Sequence, residues 1–72
     1  MSKEKVRKIL SDFTDVSNLQ DSETVFLTGI DSMQIGRFLE CLATKYNVKM
    51  SFVNFFENSS ISEITNYINM NS

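Results

Sequence analysis

An amphipathic stripe between Asp31 and Tyr46 constrains the fold of this chain more than any other feature. Its apolar residues recur at helical spacing and share one face: Ile35, Phe38, Leu39, Leu42 and Tyr46. The opposite face holds Gln34, Arg37, Glu40, Cys41, Thr44 and Lys45. Because a helix with one apolar face buries that face against other elements, the pattern predicts a core helix. It should begin at Asp31 or Ser32 and end near Tyr46.

Two more segments show the same period. Near the start, an apolar face opposite the lysines and Arg7 is formed by Val6, Ile9, Leu10 and Phe13. Near the end, Ser60 and Glu63 have the spacing of a capping box that opens a helix. The buried stripe of that helix is expected at Ile61, Ile64 and Ile68, with Tyr67 beside it. The absence of proline and the presence of only two glycines also favour helices.

The segments between these helices are less regular. SFVNFFEN is predicted to be a short helix, and we expect the core to contain most of its phenylalanines: Phe52, Phe55 and Phe56. From Thr14 to Asp31 we expect a long polar loop, held over the core by Leu19, Val25, Phe26 and Leu27. The expected fold is all-α: a single domain over residues 1–72, with three main helices, a short helix before the last and a long first loop.

The composition excludes several classes of function. The formal net charge is −2 and Ile9 to Gly36 contains five acidic and no basic residues, which argues against general nucleic-acid binding. That acidic segment is either a solvated loop or a surface that steers basic partners. No histidine and one cysteine exclude a Ser-His-Asp triad, a Cys/His zinc site and an internal disulfide. No apolar run approaches the ~20 residues of a membrane span. We expect a cytoplasmic, monomeric protein that is not an enzyme and binds neither membrane nor nucleic acid.

The stretch GIDSM, residues 29–33, opens the second predicted helix. Gly29 permits an unusual turn, and Asp31 or Ser32 caps the helix. A phosphodiester on Ser32 would lie where helix amides and the helix dipole favour an anion. Met33 is the one large apolar residue on the polar side, so it contacts either the neighbouring segments or a partner. Gly36, inside the helix, either allows close approach of another segment or is simply tolerated.

Residues 27–68, LTGIDSMQIGRFLECLATKYNVKMSFVNFFENSSISEITNYI, resemble the phosphopantetheine-binding carrier proteins. These are the acyl and peptidyl carriers of fatty-acid, polyketide and nonribosomal-peptide synthesis. That family shows a glycine, a hydrophobic residue, Asp, Ser and Leu or Met before an amphipathic helix, matched here by residues 29–33. About twenty residues later the family pattern "lsl..lFe.pTi..la" is matched, without a gap, by residues 50–64.

The resemblance implies that Ser32 carries a covalent 4′-phosphopantetheine arm, transferred from coenzyme A by a phosphopantetheinyl transferase. The arm's thiol would hold an acyl or aminoacyl group as a thioester. The partners would be that transferase, an acyl- or aminoacyl-loading enzyme and downstream synthase enzymes. Met33 resembles the family's exposed apolar residue that touches partners, and we expect Arg37 and Phe52 to contact partners as well. Gly29 and Asp31 would shape the attachment site.

Two departures from the family pattern concern the second helix. Gly36 stands where the family usually has a branched apolar residue. The second helix is less acidic than in fatty-acid carriers, with Arg37 and Lys45 against Asp31 and Glu40. The lower acidity, together with the stretch FFENSSISEI, resembles a polyketide or nonribosomal-peptide carrier more than a fatty-acid one. The start at Met1 favours a free-standing protein. The alternatives are a small helical interaction module whose Ser32 is only a cap, and a small DNA-binding helical protein.

Overall fold

The computed structural model describes residues 1–71 and contains four α-helices. They are α1 (Lys3–Leu10), α2 (Ser32–Tyr46), α3 (Phe52–Glu57) and α4 (Ile61–Met70). A single 3₁₀ turn, Val25–Thr28, lies in the long connection between α1 and α2. Within residues 1–71 the one β-type pairing is an isolated bridge between Thr24 and Ser60. The predicted all-α fold, with three main helices and a short helix before the last, is confirmed.

Each α-helix begins at a polar residue whose side chain accepts a hydrogen bond from a first-turn backbone amide. The N-caps are Ser2, Asp31, Ser51 and Ser60. At α4 the predicted capping box is confirmed, since Ser60 Oγ accepts from Glu63 N at 3.0 Å and Glu63 Oε1 accepts from Ser60 N at 3.3 Å. These caps satisfy amides that the helix itself leaves free, and so fix where each helix starts.

The core lies where the apolar stripes of α1, α2 and α4 meet around Phe55 of α3. The largest side chains that are fully buried there are Phe38, Phe55, Leu10, Leu42, Ile61, Ile64, Ile68, Val6 and Val25. The ring of Phe38 makes edge-to-face contacts with Phe13, at a centroid distance of 6.0 Å, and with Phe55, at 6.1 Å. The stripes predicted for α2 and α4 are confirmed, because Ile35, Phe38, Leu39, Leu42, Ile61, Ile64 and Ile68 are all buried. Tyr46 at the end of the α2 stripe and Tyr67 beside the α4 stripe are half-buried against the same core.

The expectation that most of the α3 phenylalanines fill the core is wrong. Only Phe55 is buried, whereas Phe52 is 42% exposed and Phe56 is 58% exposed. The reason is helix geometry: at 3.6 residues per turn Phe55 and Phe56 point about 100° apart, and Phe52 lies between them around the helix axis. With Phe55 buried, Phe52 lies at the edge of the buried side and Phe56 lies beyond it. A helix of only six residues therefore directs one phenylalanine inward and two outward.

The long first connection packs on the core as predicted, with one correction. Leu19 and Val25 are buried and Phe26 is half-buried, but Leu27 is 67% exposed and does not help to hold the segment. The backbone of the connection is bonded to the segment just before α4, because Val25 N donates to Ser59 O at 2.8 Å. Cys41, expected on the polar face of α2, is half-buried against the core.

Arg7 also departs from its predicted position on the solvent side of α1. It is half-buried, and its guanidinium donates to Val16 O at 2.6 Å and to Asp21 Oδ1 at 2.7 Å. Ser62 N, in the first turn of α4, donates to Asp21 O at 3.0 Å. The long connection between α1 and α2 is thus hydrogen-bonded to both α1 and α4. Across residues 1–71 no helix is long and apolar enough to span a membrane.

Candidate functional site

The chain turns sharply just before α2, at Gly29. This residue closes the 3₁₀ turn, with its N–H donating to Phe26 O at 3.1 Å, and has φ +80°, in the left-handed region. An added Cβ would meet nothing within 4 Å, so the backbone angle, and not lack of space, favours glycine. The predicted unusual turn is confirmed, and it sets the direction in which the chain enters α2.

The start of α2 is capped by Asp31 and not by Ser32, which settles the choice that the sequence left open. Asp31 has extended backbone angles, and its Oδ1 accepts from Gln34 N at 2.8 Å. The first internal helical bond runs from Ile35 N to Asp31 O at 3.0 Å. Ser32 is therefore the first residue of the helix, and its hydroxyl takes no part in the cap.

Ser32 is exposed at the positive end of a 15-residue helix. The first amides of a helix have no partner within the helix, and the dipole concentrates positive potential there. An anionic group attached to the Ser32 hydroxyl would therefore meet favourable electrostatics without disturbing the core. The residues present fit a phosphodiester-linked group: the acceptor oxygen is at the surface, and the cap that holds the helix start is supplied by a different residue, Asp31.

An exposed apolar surface lies beside Ser32. Met33, the next residue, is 66% exposed, as its place on the polar side of α2 predicts. One turn further on, a Cβ added to Gly36 would lie 3.5 Å from Cζ of Phe52, so α3 closely approaches α2 there. Phe56 lies on the same face of α3 as Phe52. We call Met33, Phe52 and Phe56 the apolar rim.

Sequence reasoning missed how Phe56 is held. Its ring stacks on Phe26, with the centroids 5.3 Å apart and the planes 9° from parallel, and so links α3 to the 3₁₀ turn. It also missed the exposure of Leu27 and Val53, at 67% and 65%. The residue type could not show this, because a phenylalanine that stacks at the surface and a phenylalanine that is buried look the same in a sequence.

The remaining predicted site residue, Arg37, is exposed on α2 directly after Gly36. The structure therefore brings together Gly29, Asp31, Ser32 and Met33 through the turn, and adds Phe52 through the contact of α3 with α2. Among residues 1–71, no three or more Cys, Asp or Glu side chains are grouped to hold a metal ion.

A comparison with protein families gives a match over most of the chain. The family model described as "Phosphopantetheine attachment site" matches residues 4–68. The matched range runs from the first turn of α1 to Ile68 in α4, and so includes every element that positions Ser32. No curated protein and no solved structure matches the chain.

Proposed function

The chain belongs to the family of proteins with a phosphopantetheine attachment site, and from this we propose that Ser32 is its attachment residue. Members of this family carry a covalently attached 4′-phosphopantetheine group and are carriers without catalytic activity of their own. The observation that supports Ser32 most is its position: exposed, first in α2, and free of the capping bond that Asp31 makes.

Residues 1–72 would then form a single carrier domain. When attached, the arm supplies a terminal thiol that holds a cargo as a thioester. The chain's own contribution is to hold one end of the arm at a defined point, which raises the concentration of the cargo at each partner's active site. The Gly29 turn and the Asp31 cap fix that point, while the packed stripe of α2 keeps the helix start rigid.

We further propose that the chain serves polyketide or nonribosomal-peptide synthesis. Two features support this subclass over a fatty-acid carrier. The exposed side of α2 carries Arg37 and Lys45 as well as Glu40, so it is not a uniformly acidic surface. On α3 the exposed face holds Phe52, Val53 and Phe56, which suits apolar more than charge-led partner contacts. The partners would be a phosphopantetheinyl transferase, an acyl- or aminoacyl-loading enzyme and later synthase enzymes.

The partner contacts are proposed at Met33, Arg37 and Phe52. All three are exposed, and two of them belong to the apolar rim beside Ser32. Cytoplasmic location is also a proposal, and it rests on the single cysteine, which is typical of proteins that need no disulfides.

The test is phosphopantetheine transfer in vitro. The purified chain is incubated with coenzyme A and a broad-specificity transferase, and its intact mass is measured. We expect the mass of one phosphopantetheine to be added to the wild type and none to Ser32→Ala. Ser22→Ala, which removes another exposed serine from the long connection, is the matched control and should be modified like the wild type. An unmodified wild type, or a modified Ser32→Ala, would contradict the assignment.

A further inference from the structure

Positive and negative charge lie at opposite ends of the fold. The start of α1, the end of α2 and the end of α4 meet at one end, where the Lys5 ammonium lies 5.5 Å from the centre of the Tyr46 ring. Asn69, in the last turn of α4, exchanges hydrogen bonds with the backbone of Met1. Ser32 begins α2 and therefore lies at the other end, about 20 Å away at 1.5 Å per residue.

The charged residues of the sequence are divided between these two ends. Residues 1–8, 41–51 and 64–71 form the half of the fold that is distant from Ser32. They include six of the seven basic residues and one of the nine acidic residues, Glu4. The rest of the chain contains eight acidic residues and a single basic one, Arg37. One half is therefore strongly positive, although the net charge of the chain is −2.

Four exposed lysines form what we call the basic end: Lys3, Lys5, Lys45 and Lys49. Two lie in the first turn of α1, one in the last turn of α2 and one in the connection that follows α2. In the part of the chain that the structure describes, the one ion pair joins Arg7 to Asp21, so none of the four ammonium groups is paired there. Met70, in the last turn of α4, adds an apolar side chain that is 85% exposed.

The composition of the basic end suits an anionic lipid surface better than a protein partner. Its unpaired charges are all lysines, whereas protein interfaces are enriched in arginine and depleted in lysine. Lysine is a hydrated point charge on a flexible stem, so it meets lipid headgroups without the fixed geometry of an arginine–carboxylate pair. The exposed Met70 side chain adds the apolar contact with the headgroup and acyl boundary that peripheral membrane proteins use.

The acidic residues at the other end do not cancel this attraction. They include Asp31, the cap of α2, and also Asp15 and Glu23, which line one small pocket with Thr28. A planar surface touches only one end of the molecule, whose largest extent is 28 Å. The acidic end then lies about 20 Å from the lipids, well beyond the ~8 Å over which charges act at physiological salt. The lysines therefore decide the sign of the interaction.

We propose that the basic end is a peripheral binding site for an anionic lipid surface, and that the bound chain has Ser32 on the side away from the lipids. The expectation that the chain binds no membrane rested on the lack of an apolar run long enough to span one, and a peripheral contact needs none. The binding does not depend on the proposed attachment at Ser32, but its use does. An arm on Ser32 stays accessible to partners while the carrier is held at the surface.

The test is co-sedimentation of the purified chain with sucrose-loaded vesicles. One set is phosphatidylcholine alone, and the other contains about 30% phosphatidylserine, which gives the surface a negative potential. Lys45→Gln and Arg37→Gln are the matched pair, because each removes one exposed positive charge from α2, two turns apart. A variant with all four lysines of the basic end changed to glutamine removes the site.

We expect the wild type to bind the phosphatidylserine vesicles and to bind phosphatidylcholine weakly. The partition coefficient onto phosphatidylserine should fall about fivefold in Lys45→Gln, the share of one lysine near an anionic surface. Arg37→Gln should stay within about twofold of the wild type, and the variant that lacks all four lysines should bind no better than the wild type binds phosphatidylcholine. Raising NaCl from about 0.1 to about 0.5 M should release the wild type, because the Debye length shortens.

The orientation is tested by NMR on the same vesicle system, with a gadolinium chelate on a fraction of the lipid headgroups. Paramagnetic broadening of the backbone amides should be strongest at Lys3, Lys45 and Met70 and weakest at Ser32. This measurement separates binding through the basic end from binding through any other surface of the chain.

Several results would overturn the proposal. One is equal partition of the wild type onto the two kinds of vesicle, or onto neither. Another is a loss in Arg37→Gln as large as in Lys45→Gln, which would make net charge, and not the basic end, the cause. Strongest broadening at Ser32 would reverse the orientation. If poly-glutamate or duplex DNA displaces the chain from vesicles at a lower charge concentration than the lipid presents, the basic end belongs to an acidic protein or to a nucleic acid.

Failure of this inference differs from failure of the proposed function. Vesicle binding is measured on the unmodified chain, without coenzyme A or a transferase, whereas the attachment at Ser32 is measured by intact mass without lipid. A chain that is loaded but binds no vesicles keeps the proposed function and loses only the lipid site. A chain that binds vesicles but gains no phosphopantetheine keeps the lipid site and loses the attachment.

Discussion

The guanidinium of Arg7 joins α1 to the long connection through two bonds, one to Val16 O at 2.6 Å and one to Asp21 Oδ1 at 2.7 Å. The backbone oxygen of Asp21 in turn accepts from Ser62 N in α4. One side chain therefore fastens the segment that leads to Gly29, Asp31 and Ser32. The ion pair itself is only partly shielded, since the Arg7 and Asp21 side chains are 31% and 44% exposed.

Removing the Arg7 hydrogen bonds should lower the stability of the protein modestly. We expect Arg7→Ala to lower the free energy of unfolding by about 1 kcal/mol, because a half-exposed ion pair contributes little beyond its hydrogen bonds. Arg7→Lys should recover only part of the loss, since lysine lacks the fork that reaches two acceptors. Urea unfolding measures both, with Lys8→Ala, an exposed neighbour on α1, as the control. Equal stability of Arg7→Ala and Lys8→Ala would show that the contact does not hold the segment.

The cap of α2 should depend on Asp31 and not on Ser32. Asp31→Ala removes the acceptor for Gln34 N and is expected to cost about 1 kcal/mol of stability. Asp31→Asn keeps a good capping side chain and should lose only the interaction of the charge with the helix dipole, about 0.3–1 kcal/mol. Ser32→Ala should unfold like the wild type in thermal and urea melts. Destabilisation by Ser32→Ala as large as that by Asp31→Ala would mean that the hydroxyl also caps the helix.

Asp15 is expected to titrate below its ordinary pKa. The Ser17 hydroxyl, at 2.6 Å, and the Ser17 backbone amide, at 2.9 Å, both donate to Asp15 Oδ1 and lower its pKa from 3.8. Because the folded pKa is the lower one, the stabilisation is complete above the unfolded pKa and is lost as the pH falls through the folded pKa. Ser17→Ala removes the hydroxyl, whose hydrogen bond lowers the pKa most, and keeps the backbone amide. The pKa of Asp15 should therefore rise part of the way toward its ordinary value.

The Asp15 pKa is measured by following its carboxyl carbon by NMR between pH 2 and 6, with Ser22→Ala as the control. That substitution lies in the same connection and should leave the Asp15 titration unchanged. If the pKa of Asp15 is the same in the wild type and in Ser17→Ala, the Ser17 hydroxyl does not lower it and the prediction is wrong.

The buried faces of the longer helices were predicted correctly because their apolar residues repeat at helical spacing over several turns. The buried stripes of α2 and α4 recur at helical spacing, and tertiary packing followed them. At the candidate site, the turn at Gly29, a cap at Asp31 or Ser32 and the exposure of Met33 were predictable for a local reason, because each depends on a few adjacent residues. The structure shows the left-handed backbone angle of Gly29 and the exposure of Met33, and it assigns the cap to Asp31, the first of the two candidates.

The errors came from contacts between segments that are distant in sequence. No pattern in α1 shows that Arg7 reaches Val16 and Asp21, since both acceptors lie in an irregular connection. The face of α3 was not predictable either, because six residues give too few turns for a period to show which side is buried. Phe56 has its own partner, Phe26, outside the core, and the sequence carries no sign of that stacking.

Met33 should affect partner reactions more than folding. Its side chain is 66% exposed, so Met33→Ala is expected to change the free energy of unfolding by less than about 0.5 kcal/mol. Its position next to Ser32 predicts an increase of about fivefold in KM for the carrier in phosphopantetheine transfer, the scale of an interface residue worth ~1 kcal/mol. Met70→Ala, at the end of α4, is the matched control with 85% exposure. Strong destabilisation with unchanged KM would instead place Met33 among the packing residues.

Phe55 and Phe56 are adjacent in sequence, yet their truncation should have very different effects. Phe55 is fully buried and contacts the rings of Phe38 and Phe26, so Phe55→Ala is expected to cost about 3–5 kcal/mol. That loss approaches the whole stability of a small domain, typically about 5–15 kcal/mol. Phe56→Ala loses one stacked pair and should cost only about 1 kcal/mol. Thermal and urea melts measure both, and Phe55→Leu, which keeps most of the apolar volume, provides a folded variant if Phe55→Ala is unfolded. Equal costs at the two positions would contradict the orientation of α3, and with it the outward placement of the apolar rim.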